Sequence, residues 1–380
     1  MACIFDFKKA FNRQSHEIIV TKLSDLGVPG WLLLLVIAFL KNRRMIVSYN
    51  GKSSSEKYLP GGGPQGTIIA LILFLVLINE LGFSGQLNNA GELITKVKRT
   101  NIEGKIHLKY VDDFSLAESI DLKKKLILEP ARQRPEPFHK RTGHVLPYMK
   151  SEVYTQLLRT KKYAEDNLMK LNYDKVNLML FNPTTALDFQ PDFVIDGHHL
   201  KLLEETKILG LIVRSDLKWT SNTLYIIKKA NQRLWLTKRL KNLGAARTDL
   251  VDVFTKHIRS VLEFGAPVWQ SSITQQEKTD IERVQKSFCK IVLGHEYGSY
   301  KSALEVLELE NLDSRRIILC LNFALKAENH KNFQHWFKPN LKNSITRLKP
   351  SKYIPVAAKH ARFEKSPLSY LTELLNMYYA

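Results

Sequence analysis

Two adjacent carboxylates, Asp112 and Asp113, are the residues in this chain best suited to chemistry. They close the run Tyr110-Val111-Asp112-Asp113, and an apolar stretch follows them. This pattern predicts a β-hairpin over residues 105–118 with the acids at its tip. Acids at a turn cost little in water but much when buried unpaired, and a divalent cation is one partner that would fix them. The alternative is a solvated turn, because adjacent acids are common in turns.

A third acid, Asp6, adds to the metal-binding interpretation. It lies inside the short apolar run from Met1 to Phe7, where acids are depleted and seldom buried without a partner. Phosphoryl transfer with two Mg²⁺ ions needs carboxylates that converge from separate elements, so that the ions lie about 3.5–4 Å apart. A strand carrying Asp6 beside the hairpin carrying Asp112 and Asp113 would supply such a set.

A glycine-rich segment, Gly61 to Thr67, directly precedes an apolar helix that we predict from Ile68 to Leu81. Glycines without a side chain let the backbone approach a phosphate or a base closely. A plain turn before a helix explains the same residues equally well.

Jointly, and in this order, these segments resemble reverse transcriptases, more narrowly those of non-LTR (LINE-type) retrotransposons of animals. Motifs A, B and C are matched by Asp6-Phe7-Lys8-Lys9-Ala10-Phe11, Gly62-Gly63-Pro64-Gln65-Gly66 and Tyr110-Val111-Asp112-Asp113. Later segments that look similar are Leu171 to Lys175 (motif D), Leu209 to Trp219 (the strands that grip the primer end), and 228–235 with 259–269 (the thumb side). The likeness runs from about residue 3 to about residue 330.

The resemblance implies an α+β fold: a polymerase palm, in which an antiparallel sheet packs on helices, followed by a mainly α-helical thumb-like region. The implied domains are a partial fingers and palm reverse transcriptase domain at 1–218, a helical thumb-like region at 219–330 and a C-terminal extension at 331–380. Within the first domain, residues 119–149 carry several prolines and many charges, which predicts an irregular surface insertion.

The implied activity is that of an RNA-directed DNA polymerase, which transfers a nucleotide from a dNTP to a primer 3′-hydroxyl. The implied partners are an RNA template, a DNA primer and the dNTP, and no protein partner is implied. The implied cofactor is Mg²⁺, with Mn²⁺ as an alternative ion. Asp6 and Asp112 would hold two metal ions with Asp113 supporting the site, and Lys175 would donate a proton to the departing pyrophosphate.

The remaining implied site residues would contact the nucleotide: Phe7, Lys8, Lys9, Phe11, Gln65 and Gly66. A bulky ring at Phe11 would block a ribose 2′-hydroxyl and so select deoxynucleotides; the alternative is a core aromatic. Lys8 or Lys9 could meet the triphosphate, although alternate strand residues also face solvent. A solvated lysine is likewise the alternative for Lys175.

The chain also departs from the family pattern. It begins almost at the motif A strand, so we expect a copy truncated at the N-terminus, lacking the fingers segment and weak or inactive by itself. Asn12 stands where an acid is frequent, and Gly63 replaces the usual apolar residue of motif B. The alternative function is therefore a non-catalytic, basic nucleic-acid-binding remnant of such an element. A third class is a host-adapted interaction protein.

The charge balance favours a polyanion as partner. The 380 residues include 57 Lys and Arg against 37 Asp and Glu, a formal charge of +20. Residues 1–182 hold 27 basic and 17 acidic side chains, which leaves 30 and 20 for 183–380, so the excess is +10 in each part. A basic body of this kind favours contact with phosphates over a disordered basic tail. A solvated basic surface is the alternative.

The sequence predicts an intracellular protein, nuclear or cytoplasmic and not secreted. Cys3, Cys289 and Cys320 are too far apart for a disulfide framework or a zinc motif, and the start lacks the order of a signal peptide. The apolar runs Trp31–Leu40 and Ile68–Ile78 are shorter than the ~20 residues that a membrane helix needs. We therefore predict that both are buried helices of the palm core.

Local signals predict the remaining elements. Ser15 is a good N-cap for a helix to Leu26, and Pro29 opens a second helix to about Lys41. Asn50-Gly51 predicts a two-residue hairpin turn. Residues 150–171 read as a helix, 176–215 as strand-rich, and the chain from Trp219 onward as helical. The apolar residues expected on one side of the helix at 150–171 are Val153, Leu157, Leu158 and Leu168. Thr274-Gln275-Gln276-Glu277 predicts a capping box.

Overall fold

The computed structural model divides the chain into two compact units, Met1–Glu204 and Glu205–Ala380, called here the N-terminal and the C-terminal unit. The predicted insertion at 119–149 lies outside the described residues, and the predicted domain boundaries at 218 and 330 stay predictions. The structure describes residues 2–64, 66–79, 81, 86–87, 93–94, 105–110, 113–118, 152–181, 193–340, 351–357 and 361–380.

The strands of the N-terminal unit are mostly short. They are β1 (Ala2–Asp6), β2 (Arg44–Met45), β3 (Ser48–Tyr49), β4 (Lys52–Ser53), β5 (Lys57–Tyr58), β6 (Gln86–Leu87), β7 (Leu93–Ile94), β8 (Lys105–Tyr110), β9 (Asp113–Glu118), β10 (Asn177–Met179), β11 (Val194–Ile195), β12 (His198–His199) and β13 (Lys201–Leu202). Five of them form one sheet in the order β13-β10-β1-β9-β8. Neighbours run antiparallel except β10 and β13, which are parallel.

The hairpin predicted over 105–118 is confirmed. Strands β8 and β9 pair from Lys105 opposite Glu118 to Tyr110 opposite Asp113. The apolar run that carries Asp6 is also a strand, as predicted, and it occupies the centre of the sheet between β9 and β10.

The helices of the N-terminal unit pack on this sheet around a core that includes Cys3, Ile19, Phe74, Leu157 and Leu178. Tyr163 ties three of the helices together, because its hydroxyl donates to the Leu77 carbonyl oxygen at 2.6 Å and accepts from Lys22 Nζ at 3.1 Å. The helices are α1 (His16–Asp25), α2 (Gly30–Leu40), α3 (Ile68–Leu77) and α4 (Glu152–Asp166).

Two local predictions are confirmed in this unit. Ser15 caps α1, and its hydroxyl accepts from the backbone N–H of Ile18. Strands β3 and β4 form the predicted hairpin around Asn50-Gly51, and both turn residues have positive φ, 47° and 75°, as a type I′ turn requires.

The predicted burial of α2 and α3 is wrong. Trp31, Leu34 and Leu35 of α2 are exposed, and Ile68 of α3 is 79% exposed; α3 also ends at Leu77 rather than Leu81. The face of α3 that carries Leu73, Phe74 and Leu77 enters the core, while the opposite face stays outside. Both helices are apolar all round, so their sequences carry no pattern to show which face would be covered.

The predicted apolar face of α4 needs a similar correction. Val153 and Leu157 are buried, but Leu158 and Leu168 are exposed. Leu158 follows Leu157 directly and so lies about 100° further round the helix. Leu168 lies beyond the helix end at Asp166, in a left-handed turn with φ 55°.

The C-terminal unit is helical after one hairpin, as predicted for the chain from Trp219 onward. The hairpin joins β14 (Glu205–Ile208) to β15 (Leu211–Arg214). The helices are α5 (Thr220–Asn242), α6 (Arg247–Val253), α7 (Ser260–Glu263), α8 (Ala266–Trp269), α9 (Gln275–Leu293), α10 (Tyr300–Val306), α11 (Leu312–Glu328), α12 (Ala361–Glu364) and α13 (Pro367–Tyr379), with a π-helical stretch at Phe254–Arg259 between α6 and α7.

Aromatic packing forms the main core of this unit. The rings of Phe254 and Phe288 stack with centroids 4.1 Å apart, and Trp269 is fully buried beside them in the same cluster. The capping box predicted at Thr274 and Glu277 begins α9 and is confirmed. The chain is therefore a mixed helix-and-sheet protein. Among the described residues no helix is both long and apolar enough to cross a bilayer.

The hairpin β14–β15 meets the segment before α8 through two glycines. A Cβ on Gly210 would lie 3.0 Å from the Phe264 ring, and a Cβ on Gly265 would lie 3.0 Å from the Leu211 side chain. Both glycines have positive φ, 91° and 66°. These two segments, which the family resemblance singled out separately, therefore contact each other closely.

Candidate active site

Asp6 and Asp113 lie opposite each other in the central sheet. The ladder between β1 and β9 pairs Ala2 with Ala117 at one end and Asp6 with Asp113 at the other. Cα partners of an antiparallel ladder are about 4.5–5.5 Å apart, and their positions share one face of the sheet. Two predicted metal-binding residues, 107 positions apart in sequence, are therefore neighbours in the fold. Asp112, the third, lies outside the described residues.

Lys175 is at the same end of the sheet as Asp6. The ladder between β1 and β10 ends with Ile4 opposite Asn177, and Asp6 and Lys175 each lie two residues beyond that pair. Lys175 closes the 3₁₀ turn Tyr173–Lys175 and is exposed. Asp6, Asp113 and Lys175, which come from motifs A, C and D, therefore lie at the same end of the sheet.

The residues that follow Asp6 turn the chain away from this end of the sheet. Phe7 is 3% exposed and bridges to Leu171, so its side chain belongs to the core rather than to a nucleotide site. Lys8 and Lys9 are exposed. The Lys8 N–H donates to the Lys170 carbonyl oxygen at 2.8 Å, and Lys9 has the left-handed φ of 54°. The turn places two cations just beyond Asp6.

Phe11 is a half-buried ring rather than a fully exposed wall. It begins the 3₁₀ helix Phe11–Arg13, and its ring lies 5.0 Å from that of Phe74 at 32° between planes. One part of the Phe11 ring therefore packs in the core, as the alternative interpretation predicts. The rest of the ring remains available to a ligand.

The glycine loop packs on the backbone that follows Asp6. The N–H of Gly62 donates to the Gln14 carbonyl oxygen at 2.9 Å, and that of Gly63 to the Phe11 carbonyl oxygen at 2.8 Å. A Cβ on Gly62 would lie 2.8 Å from the Asn12 carbonyl oxygen. The close approach that these glycines permit is thus made, in this structure, to the chain itself.

The same packing explains the unusual Gly63. A Cβ at this position would lie 2.7 Å from Gln14 Oε1 and 3.1 Å from the Ala70 Cβ. An apolar side chain would therefore require Gln14 to move. Gly66 differs: it has φ 94°, and no atom of the described residues lies within 4 Å of where its Cβ would be. Gln65, the other predicted loop residue, lies outside the described residues.

Three polar residues that the sequence analysis did not single out hold this loop. Arg43 Nη1 donates to the Gly62 carbonyl oxygen at 2.7 Å, and His16 Nε2 contacts the same oxygen at 2.9 Å. Gln14 is 1% exposed, yet neither its Nε2 nor its Oε1 has a hydrogen-bond partner among the residues that the structure describes. Buried amides are normally paired. No local signal could have identified these contacts, since His16 and Gly62 are 46 positions apart.

The turn that carries Lys175 is anchored by a polar cluster. Tyr173 donates to Asp196 Oδ2 at 2.6 Å and stacks on His198 with ring centroids 4.8 Å apart. Lys161 also donates to Asp196. The hydrogen bonds from Lys161 and Tyr173 lower the pKa of Asp196, whereas burial and the bond to Asp196 raise the pKa of Tyr173. The hydrogen bonds of Asp196 with Lys161 and Tyr173 therefore hold this turn in place.

Asp6 and Asp113, which are paired at the end of strands β1 and β9, are residues of the type that binds a divalent cation. Carboxylate oxygens are the ligands that Mg²⁺ and Mn²⁺ accept, and two acids directly opposite in a ladder repel each other unless a cation or a proton lies between them. Within the described residues, no three His, Cys, Asp or Glu side chains form a group that could hold a metal. The metal assignment to Asp6, Asp112 and Asp113 stays a prediction.

Comparison with known proteins bears on the family. No protein-family model matches the chain. It is 20% identical over 249 residues to the retrovirus-related Pol polyprotein from the type-1 retrotransposable element R2 of Popillia japonica. The alignment covers 61% of this chain and 36% of that protein. It is also 29% and 32% identical, over 80 and 81 residues, to the RNA-directed DNA polymerases from mobile element jockey of Drosophila funebris and Drosophila melanogaster.

Each jockey match covers 21% of this chain and 9% of the relative, so the chain spans a minor part of the curated relatives it matches. Among solved structures, telomerase from Candida albicans in complex with a telomeric RNA fragment aligns with 88% of this chain and 50% of that chain. Its identity is 12% and its TM-score 0.33, a likeness too slight to define the fold. The resemblance to non-LTR retrotransposon reverse transcriptases is confirmed by the sequence similarity to R2 and jockey.

Proposed function

We propose that the chain is the catalytic part of an RNA-directed DNA polymerase, which extends a DNA primer on an RNA template with dNTPs. The observation that carries the proposal is the pairing of Asp6 with Asp113 across β1 and β9. Two like charges opposite each other in a sheet are unfavourable. A binding site for divalent cations gives that arrangement a purpose.

The predicted site residues at this end of the sheet each have a role in the proposed reaction. Asp6 and Asp112 would hold two Mg²⁺ ions, and Asp113 would support the site. When bound, such ions supply activation of the primer 3′-hydroxyl and neutralise charge on the departing pyrophosphate. Lys175, beside Asp6, donates a proton to the pyrophosphate. In this proposal the five-stranded sheet with its helices is the palm and the helical C-terminal unit the thumb-like region.

The nucleotide pocket is built from the two segments that pack together. Lys8 or Lys9 meets the triphosphate, and Gln65 with the open side of Gly66 lines the pocket. The exposed part of the Phe11 ring excludes a ribose 2′-hydroxyl, while Phe74 holds the ring in place. Catalysis of this type depends mostly on positioning and electrostatics, so the packing of the glycine loop on residues 11–14 is part of the site.

Primer extension by the purified chain tests the proposal, with an RNA template, a DNA primer, dNTPs and Mg²⁺. Asp6→Asn and Asp112→Asn should each reduce extension to background, because each removes a metal-binding charge. Asp25→Asn, at the end of α1, is the matched control and should extend like the wild type. Extension that survives both site substitutions would exclude these acids as the catalytic set.

Metal binding gives a readout that does not need activity. Mg²⁺ or Mn²⁺ should raise the melting temperature of the wild type, since a ligand that binds only the folded state stabilises it. The rise should vanish in Asp6→Asn and persist in Asp25→Asn. A melting temperature that does not respond to either ion would remove the metal site from the proposal.

The second candidate is a basic nucleic-acid-binding protein without catalysis. The formal charge of +20 favours it. In that case RNA binding should be largely independent of sequence and fall steeply with salt, because each neutralised phosphate releases counterions. Binding that persists in Asp112→Asn while no variant extends a primer would select this candidate. Binding that does not change between about 50 and 200 mM salt would exclude it.

A further inference from the structure

Helix α5 has a strongly two-sided surface. One side faces the C-terminal unit and carries Asn222, Thr223, Ile226, Ala230, Leu234 and Thr237, which are buried. The opposite side forms an exposed stripe, called here the α5 stripe: Leu224, Lys228, Asn231, Trp235, Arg239 and Asn242. Each residue lies three or four positions after the one before it, so the stripe follows one helix face over about 27 Å.

The charge of this helix is all of one sign. Its 23 residues include six Lys and Arg and no Asp or Glu. Among the described residues none of these six forms an ion pair. By contrast Arg315 and Lys278 of the same unit contact Glu263 and Asp313. Helix α5 therefore carries six cations that no acid of the same helix balances.

Part of this charge is used for packing and part is not. Arg233 donates to the His257 carbonyl oxygen, and Lys241 to the Ile291 carbonyl oxygen at 2.8 Å. Lys228, Lys238 and Arg239 are exposed and make no such bond within the described residues. These three cations lie on or next to the α5 stripe and can reach an external anion.

Trp235 adds an aromatic surface at the middle of the stripe. It is 60% exposed, and the Arg239 guanidinium lies 5.0 Å from the ring centroid. An exposed tryptophan next to stacked arginine offers both a π-face and a phosphate-binding fork. A paired base cannot use this face, because both of its own faces are stacked within the duplex.

A second aromatic and cationic contact lies near the start of α5. Lys207 Nζ donates to the Tyr225 hydroxyl at 3.0 Å, and Lys229 Nζ lies 5.8 Å from the Tyr225 ring centroid. The hydrogen bond from Lys207 lowers the pKa of Tyr225. Lys207 and Lys229 thus place two cations around the Tyr225 ring, near the start of α5.

We propose that the α5 stripe binds single-stranded RNA, with one unpaired base stacked on Trp235 and the flanking phosphates held by Lys228, Lys238 and Arg239. Aromatic stacking with basic side chains along a groove or face is how proteins bind single strands without reading their sequence. The inference goes beyond the polymerase proposal, since it requires neither metal ions nor nucleotide transfer.

The test measures binding of the full chain to a fluorescein-labelled oligo(A) RNA about 12 nucleotides long, without Mg²⁺ or dNTPs. Trp235→Ala should weaken binding about tenfold or more, and Trp235→Phe should restore part of it. The matched control is Trp31→Ala. Trp31 is 70% exposed on α2, a helix without a charged residue, and its loss should leave the affinity unchanged. Equal losses in the two alanine variants would overturn the proposal.

Two probes separate stacking from charge. An abasic strand of the same length keeps its phosphates, so wild type should bind it more weakly than oligo(A) and Trp235→Ala should bind both alike. Lys228→Gln should weaken both and reduce the salt slope by about one. Affinity for duplex RNA should depend little on Trp235. If Trp235→Ala weakens binding to duplex RNA as much as binding to oligo(A), the single-strand assignment is wrong. The assay contains neither Mg²⁺ nor dNTPs and measures binding alone, so failure of the polymerase proposal leaves this test intact.

Discussion

Gln14 in the N-terminal unit and Arg316 in the C-terminal unit are almost completely inaccessible to solvent, but their surroundings differ. Arg316 Nε donates to Gln270 Oε1 at 2.7 Å, Nη2 contacts Asp313 Oδ1 at 3.4 Å, and the guanidinium lies over the Trp269 ring. Its Nη1 alone lacks a hydrogen-bond partner among the described residues. Within the described part of the chain, the Gln14 amide has no hydrogen-bond partner.

The difference teaches what each unit uses its buried polar groups for. The Arg316 network joins α8 to α11 and holds a helical scaffold together. Gln14 instead lies under the glycine loop, next to the strand that carries Asp6. An unpaired buried amide is a source of instability that a structural role does not explain. The N-terminal unit thus carries an unpaired buried amide beside its candidate site, whereas the buried guanidinium of the C-terminal unit is mostly paired within a scaffold.

The largest effect should come from breaking the scaffold. Asp313→Ala leaves the buried guanidinium of Arg316 without its acid and should lower the free energy of unfolding by about 3 kcal/mol. Arg316→Met in the same chain should recover much of that loss, because the uncompensated charge is gone. Urea denaturation followed by circular dichroism measures both. The control is Asp252→Ala, an exposed partner of Lys256, which should cost about 0.5 kcal/mol or less. Equal costs at Asp313 and Asp252 would refute the scaffold role.

The next effect separates two glycines of one loop. Gly62→Ala would place a Cβ against the Asn12 backbone at a φ of 81°, and should cost about 3 kcal/mol through strain and clash. Gly66→Ala meets only the strain of positive φ, about 1–2 kcal/mol. Thermal unfolding of the two variants measures the difference. If Gly66→Ala is the more damaging, the loop does not pack as described.

A smaller effect tests the two buried amides. Gln14→Met removes a group without a partner and should raise the free energy of unfolding by about 1 kcal/mol. Asn222 of the C-terminal unit is the matched control: it is also buried, but its Oδ1 accepts from the Ile212 N–H at 3.1 Å. Asn222→Leu should therefore destabilise by about 1–3 kcal/mol. Destabilisation by Gln14→Met would show that the amide is paired in solution.

The smallest predicted effect is a change in thermal stability at acid pH. The pKa of Asp196 is lowered by the hydrogen bond from Lys161 and then by that from Tyr173. Its contribution is therefore complete above the ordinary carboxyl pKa near 3.9 and is lost as the pH falls through the lower folded value. Asp196→Asn should flatten the fall in melting temperature below about pH 4. The change will be slight, because this side chain is 43% exposed and screened. An unaltered acid profile would show that the cluster contributes nothing.

Short-range signals in the sequence determined the local elements of this protein. The acid-tipped hairpin at 105–118, the Ser15 cap, the Asn50-Gly51 turn and the capping box at Thr274 each depend on residues within a few positions of one another. For that reason their residue types suffice to predict them. The motif order, together with these elements, was also enough to indicate the family.

Only the tertiary structure decided how distant segments meet. The pairing of Asp6 with Asp113, the nearness of Lys175, and the contact of Gly62 with Asn12 join residues between 50 and 169 positions apart. No local pattern encodes such contacts. Burial of α2 and α3 was predicted wrongly for a related reason. An all-apolar helix reads as buried, but the side that is covered depends on which elements pack against it.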